Sequence, residues 1–219
     1  MVDKPQGFTS HDVVDFIRKR FNFKKVGHAG TLDPMATGLL ILLIGSYTKR
    51  SSEFLNHDKE YEATMTLGAT SDTGDAWGKV TKNALSLPVT VADVESAIKK
   101  YSGPMAQAVP AYSAKKFQGK KLYELARKGI EVKLEPSNIV IHSLEITKLD
   151  LPEISFRVSC SKGTYIRQLC TDIGKDLGCG AYMSALRRTK SGDFTIDRAV
   201  GVEALKKMKA EELSCLSVQ

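Results

Sequence analysis

EISFRVSCSKGTYIRQLCTDIGKDLG, residues 153–178, changes its period part-way along. Apolar side chains first fall on alternate positions, Ile154, Phe156, Val158 and Cys160, the period of a strand with one buried face. Beyond Ser161-Lys162-Gly163 the spacing lengthens, and Ile166, Leu169, Cys170, Ile173 and Leu177 form one stripe of a helix that Gly178 stops. A strand running straight into an amphipathic helix points to an α+β chain. Arg167 lies off the stripe in the first helical turn, where a positive charge opposes the helix dipole, so local helix stability does not account for it.

The same two periods recur outward from this stretch. In KEYEATMTLG (59–68), Tyr61, Ala63, Met65 and Leu67 share one face of a strand, and Leu39 to Ile44 reads as a buried strand. Another strand is expected at about 138–148. Thr9-Ser10-His11-Asp12 fits a capping box for a helix over 11–21, and Thr90-x-x-Asp93 opens another that ends near Tyr101, with Gly103 and Pro104 beyond. A short helix is expected at 120–128, stopped by Gly129, and a final one at about 202–213; SDTGDAWG (71–78) reads as a polar loop. No repeat, low-complexity tract or linker interrupts the 219 residues. The expectation is α+β, with a mixed, largely antiparallel central sheet flanked by helices, and a single domain over 1–219.

Composition narrows the class. No apolar run approaches the roughly 20 residues of a membrane span, and the chain begins with Asp3-Lys4-Pro5 rather than a secretory signal, so a cytoplasmic location is expected. Four cysteines (Cys160, Cys170, Cys179, Cys215) are too sparse for a disulfide framework or a zinc site and are expected as reduced core thiols. His11, His28, His57 and His142 show no metal-ligand spacing. Net charge is +7, gathered in three clusters: Arg18 to Lys25, Lys115 to Lys133, and Arg187, Arg188 and Lys190. Such clusters suit a phosphate backbone.

GHAGTLDPMATG (27–38) sets Asp33 ahead of a proline among small residues. Taken alone, this is either an ordinary turn or a backbone kept slim around a reacting group. By periodicity alone Tyr61 is a core residue of its strand, His28 a loop histidine and Arg167 half of a surface ion pair.

Together GHAGTLDPMATGLL, KEYEATMTLGATSDTGDAWG, AYSAKKFQGKKLYELARKGIEV and CSKGTYIRQLCTDIGKDLGCGAYMSALRR resemble bacterial tRNA pseudouridine synthases of the TruB family over roughly residues 3–192. The resemblance implies the pseudouridine synthase catalytic fold and isomerisation of the T-loop uridine of tRNA, conventionally position 55. It implies that Asp33 is the catalytic carboxylate, that Tyr61 lies against the flipped uracil and that Arg167 pairs with the aspartate. By the same resemblance His28 helps to open the T-loop, Tyr165 and Leu186 line the base pocket, and Asp75 is an acidic residue near the site. Small residues at Gly27, Ala29, Gly30 and Ala36 would then make room for a ribose.

The reaction breaks the C1′–N1 bond and forms C1′–C5 with no change in atoms or electrons, so no cofactor and no metal is expected. The carboxylate either attacks C1′ or takes a proton from C2′. The expected partner is the tRNA T-arm, with no membrane and no guide RNA, and the protein acting as a monomer. Only about 25 residues follow Phe194, so no separate RNA-binding domain of the PUA type is expected. Two other readings are a tRNA-binding or folding protein with little or no catalysis, and the same reaction on another stem-loop RNA.

Overall fold

The computed structural model describes residues 1–83, 89–130, 132 and 134–213; Cys215 and Lys133 lie outside the described residues. The chain begins with β1 (Val2–Lys4), α1 (Ser10–Arg20), β2 (Val26–Ala29), β3 (Thr37–Ile44), α2 (Ser51–Leu55) and β4 (Lys59–Leu67). There follow β5 (Ala69–Ser71), β6 (Val80–Lys82), α3 (Val91–Lys99), β7 (Gly103–Gln107), β8 (Lys116–Phe117), β9 (Lys120–Lys121) and α4 (Leu122–Ala126). The remainder is β10 (Ser137–Asp150), β11 (Glu153–Cys160), α5 (Ile166–Asp176), β12 (Ala181–Ser191), β13 (Phe194–Thr195), β14 (Val200–Gly201), α6 (Val202–Lys207) and α7 (Ala210–Leu213). This is α+β, with mixed and largely antiparallel pairing.

The chain forms two compact units, one of Met1–Tyr61 with the chain from Leu186 onward, the other Glu62–Ala185. In the first unit the strand order is β14-β1-β3-β12, with β2 on β3 and β13 on β12. Strand β1 is antiparallel to β3, while β12 runs parallel to it with Arg188 opposite Gly38. Helix α1 starts where the capping box requires: Thr9 accepts from the Asp12 amide at 3.0 Å and donates its own to the Asp12 carboxylate at 2.7 Å. Its inward face, Val13, Ile17 and Phe21, packs with Val2, Leu40, Val202 and Leu205 in one core cluster.

In the second unit the order is β12-β4-β11-β10-β7. Strands β10 and β11 form an antiparallel hairpin with Ile146 opposite Phe156 and Leu144 opposite Val158. The alternation read in β4 is real: Ala63, Met65 and Leu67 are buried. On α5 the apolar stripe buries Ile166, Leu169, Cys170 and Ile173 as its spacing requires.

Several local expectations are corrected. Strand β12 was not among the expected strands and carries no clean alternation: its buried positions run Ala181, Met183, Leu186, Arg188 and Ser191, shifting phase and including two polar residues. Gly27 to Ala29 belong to β2, antiparallel to β3, so His28 stands on a strand rather than in a loop. Gly103 and Pro104 begin β7; a proline is tolerated there because β7 ends the strand order. The polar loop at 71–78 joins β5 and β6, which pair as a small hairpin. The short helix of 120–128 shrinks to α4, with β8 and β9 before it.

The final helix is two, broken at Met208, whose φ of −73° and ψ of 143° are extended. There Arg20 donates to the Lys206 and Met208 carbonyls at 3.2 and 2.8 Å, satisfying groups that a continuing helix would have used.

Candidate active site

The first unit holds His28, Asp33, Tyr61 and Leu186. Asp33 sits in the turn between β2 and β3, closed by an Ala36 amide to Asp33 carbonyl bond of 3.0 Å. Its neighbours Leu32, Met35 and Ala36 are buried and anchor the turn in the core, while Asp33 itself is half-buried. Polar contacts complete the anchoring. Ser10 donates to the Leu32 carbonyl at 3.1 Å and accepts its amide at 2.8 Å, and the Gly7 amide donates to the Pro34 carbonyl at 2.9 Å.

Two buried cations support this turn, and the sequence reading had assigned neither to it. Lys4, fully buried on β1, donates to the Phe8 carbonyl at 2.6 Å and reaches that of Pro34 at 3.5 Å. Burial lowers its pKa to about 8, and the Asp33 and Asp12 carboxylates resist that fall. Arg188 is 1% exposed and donates to the Leu39 carbonyl at 2.7 Å and the Gly30 carbonyl at 3.1 Å. It is thus withdrawn from the third basic cluster, and its neighbour Arg187 is paired with Asp3 at 2.7 Å.

Three of the small residues are also constrained by packing. Ala29 and Ala36 are fully buried, and a Cβ on Gly30 would lie 3.3 Å from the Arg188 guanidinium. Tyr61, on β4, and Leu186, on β12, are each 9% exposed, and His28 is half-buried. A larger cavity of this unit, about 460 Å³ and lined by residues such as Ile17, Leu42, Phe54 and Phe194, includes none of these four.

The second unit holds Asp75, Tyr165 and Arg167. Arg167 is the second residue of α5 and only 5% exposed, so it is no surface ion pair. Its Nη1 donates to the Thr73 carbonyl at 2.6 Å, its Nη2 to the Tyr112 carbonyl at 2.8 Å, and its Nε lies 3.7 Å from Asp75 Oδ2. Asp75 is fixed in turn: its Oδ1 accepts from Thr73 Oγ1 at 2.8 Å and from the Trp77 amide at 3.0 Å. The planar fork of arginine suits this arrangement, which a single ammonium could not satisfy.

A cavity of about 180 Å³ opens beside Arg167, lined by Ser71, Thr73, Tyr112, Gln168 and Thr171 among others. It is smaller than the roughly 300 Å³ at which small-molecule pockets begin. Tyr165, the N-cap of α5, offers no side-chain cap, and its backbone is gripped by Gln107. Lys4, Arg188, Thr73 and Gln107 were not foreseen. For Arg188 a signal existed: two residues beyond Leu186 on one strand, it shares that residue's face.

A family model described as TruB family pseudouridylate synthase (N terminal domain) matches residues 18–166. A second, described as tRNA pseudouridylate synthase B C-terminal domain, matches residues 167–215. The chain belongs to the TruB family.

Proteins named tRNA pseudouridine synthase B are its relatives. That of Opitutus terrae is 46% identical over 213 residues, covering 97% of this chain and 88% of the relative. That of Azoarcus is 50% identical over 206 residues, covering 94% and 68%. Among solved structures, a chain of a Cbf5-Nop10-Gar1 complex is similar with a TM-score of 0.74 and 31% identity, covering 94% of this chain and 52% of that one. A chain from an H/ACA RNP bound to a substrate RNA containing 2′-deoxyuridine gives 0.71 and 29%, covering 94% and 51%. This TruB-family chain therefore spans about half the length of those solved chains.

Proposed function

We propose that this chain isomerises uridine to pseudouridine in tRNA. The observation that carries the reading is the match to relatives named tRNA pseudouridine synthase B, 46% identical over 97% of the chain in one case and 50% over 94% in another. It is an isomerase of the TruB family acting on tRNA. The target we propose is the T-loop uridine at position 55, modified by a monomer in the cytoplasm that needs no guide RNA, cofactor or metal.

In this reading Asp33 is the carboxylate that meets the ribose, either at C1′ directly or at the C2′ proton. Arg167 is the guanidinium that pairs with it, its planar fork setting the carboxylate's direction. Extruding the uridine costs a few kcal/mol, and stacking on an aromatic ring returns roughly 1–3 kcal/mol. Tyr61 and Tyr165 supply rings, Leu186 an apolar wall, and His28 a group to fill the vacated position in the T-loop. Asp75 holds Arg167. Support for Asp33 comes from its surroundings: with the turn tied at Leu32 and Pro34, the carboxylate has little room to drift.

The test uses purified protein and unmodified tRNA transcript with nothing else added. Wild type is expected to form pseudouridine at one T-loop position, and Asp33→Asn to form none while binding the transcript comparably. Equal modification by both proteins removes the assignment. Modification at a different site moves the substrate to another stem-loop RNA.

A further inference from the structure

Gln107 ends β7 and is 2% exposed, a primary amide withdrawn from water. A buried amide is costly unless its donor and acceptor are both met. Both are met by one residue: Gln107 Nε2 donates to the Tyr165 carbonyl at 3.0 Å, and Gln107 Oε1 accepts the Tyr165 amide at 2.8 Å. Tyr165 precedes Ile166, the first residue of α5, and its carbonyl also accepts the Leu169 amide at 3.1 Å, the first bond of the helix. The glutamine therefore supplies from another strand the restraint that the helix start lacks in its own side chain. Two residues on is Arg167, whose Nη2 bonds Tyr112, five residues beyond Gln107 on the same segment.

We propose that Gln107 is a positioning residue for the isomerisation, its two-point grip on the Tyr165 backbone fixing the start of α5 and so the aim of Arg167. The inference rests on the reading of Arg167 given above. Leucine at 107 would fill much of the same volume and make neither bond, leaving the Tyr165 amide and carbonyl to drift. Glutamate would keep the acceptor but turn a second oxygen toward the Tyr165 carbonyl. As a carboxylate it would be repelled there; as a neutral acid its O–H would donate to that carbonyl and restore the pair.

The experiment measures single-turnover pseudouridine formation, tRNA affinity and thermal melting for wild type, Gln107→Leu, Gln107→Glu, Arg167→Lys and the Gln107→Leu/Arg167→Lys pair. Gln107→Leu should stay folded at the assay temperature and bind tRNA nearly as wild type does, while its rate constant falls about 10- to 100-fold, the scale of a misplaced catalytic group. Added to Arg167→Lys, it should lower the rate little further, because both changes disturb one group. The rate of Gln107→Glu relative to wild type should rise as pH is lowered.

A folded Gln107→Leu with the wild-type rate overturns the inference. So does a loss of the same size in the Arg167→Lys background, or unfolding of both position-107 variants at the assay temperature, since each makes the residue structural only. If wild type forms no pseudouridine, the functional reading itself fails and takes this inference with it.

Discussion

Arg167 turns its guanidinium inward, bonding carbonyls on two separate segments while lying against Asp75. Removing one member of a buried charged pair commonly costs about 3–5 kcal/mol. Arg167→Lys keeps the charge but loses the fork, so it is expected to destabilise the fold by less, roughly 1–3 kcal/mol, and to lower pseudouridine formation by at least about 100-fold; chemical denaturation and a rate assay measure the two. The helix dipole hinted in the sequence that this arginine had a partner elsewhere. Its burial was not legible, because its partners are main-chain carbonyls, which every residue has. Lys4 offers a pH test at the same scale. Its folded pKa of about 8 is below the ordinary lysine value, so between the two the unfolded chain binds the extra proton. Its contribution to stability should accordingly increase as pH rises through that window and stay flat below it. Urea midpoints at pH 7.5 and 10 should show a relative gain for wild type that Lys4→Met lacks.

Among the elements, the contact of β3 with β12 is the most demanding of its sequence. Gly38 has φ of +102°, and a Cβ there would stand 2.3 Å from the Arg188 carbonyl oxygen. Gly7, with φ of +89°, has open space around it. Gly38→Ala should thus cost several kcal/mol against about 1–2 for Gly7→Ala, a difference readable in thermal melts. The two strongest periodic stretches, β11 into α5 and β4, were legible because one face of each is uniformly apolar. Strand β12 was not, since its buried positions change phase along the strand and include the polar Arg188 and Ser191. For Asp33 the local pattern favoured an ordinary turn over a backbone kept slim around a reacting group. The structure has a turn, and Ala29 and Ala36 beside it are buried.

At the scale of the whole molecule, a formal charge of +7 suggested a polyanionic partner, but the cations do not all serve that end. Lys4, Arg167 and Arg188 are interior, whereas Lys120 and Lys121 are exposed. If phosphates are held by the exposed set, Lys120→Ala/Lys121→Ala should reduce the slope of log affinity for tRNA against log salt by up to about 2. Arg188→Met should leave that slope unchanged and lower the rate. The interior cations bear on acidity as well. One prop under the aspartate turn is a guanidinium, which keeps its proton at any pH at which proteins stay folded; the other is an ammonium that surrenders its proton in mild alkali. Basic conditions should therefore strip positive charge from beneath the aspartate on the Lys4 side alone while leaving the fold no weaker, so turnover should drift gradually with alkali and without the melting that loss of both props would bring.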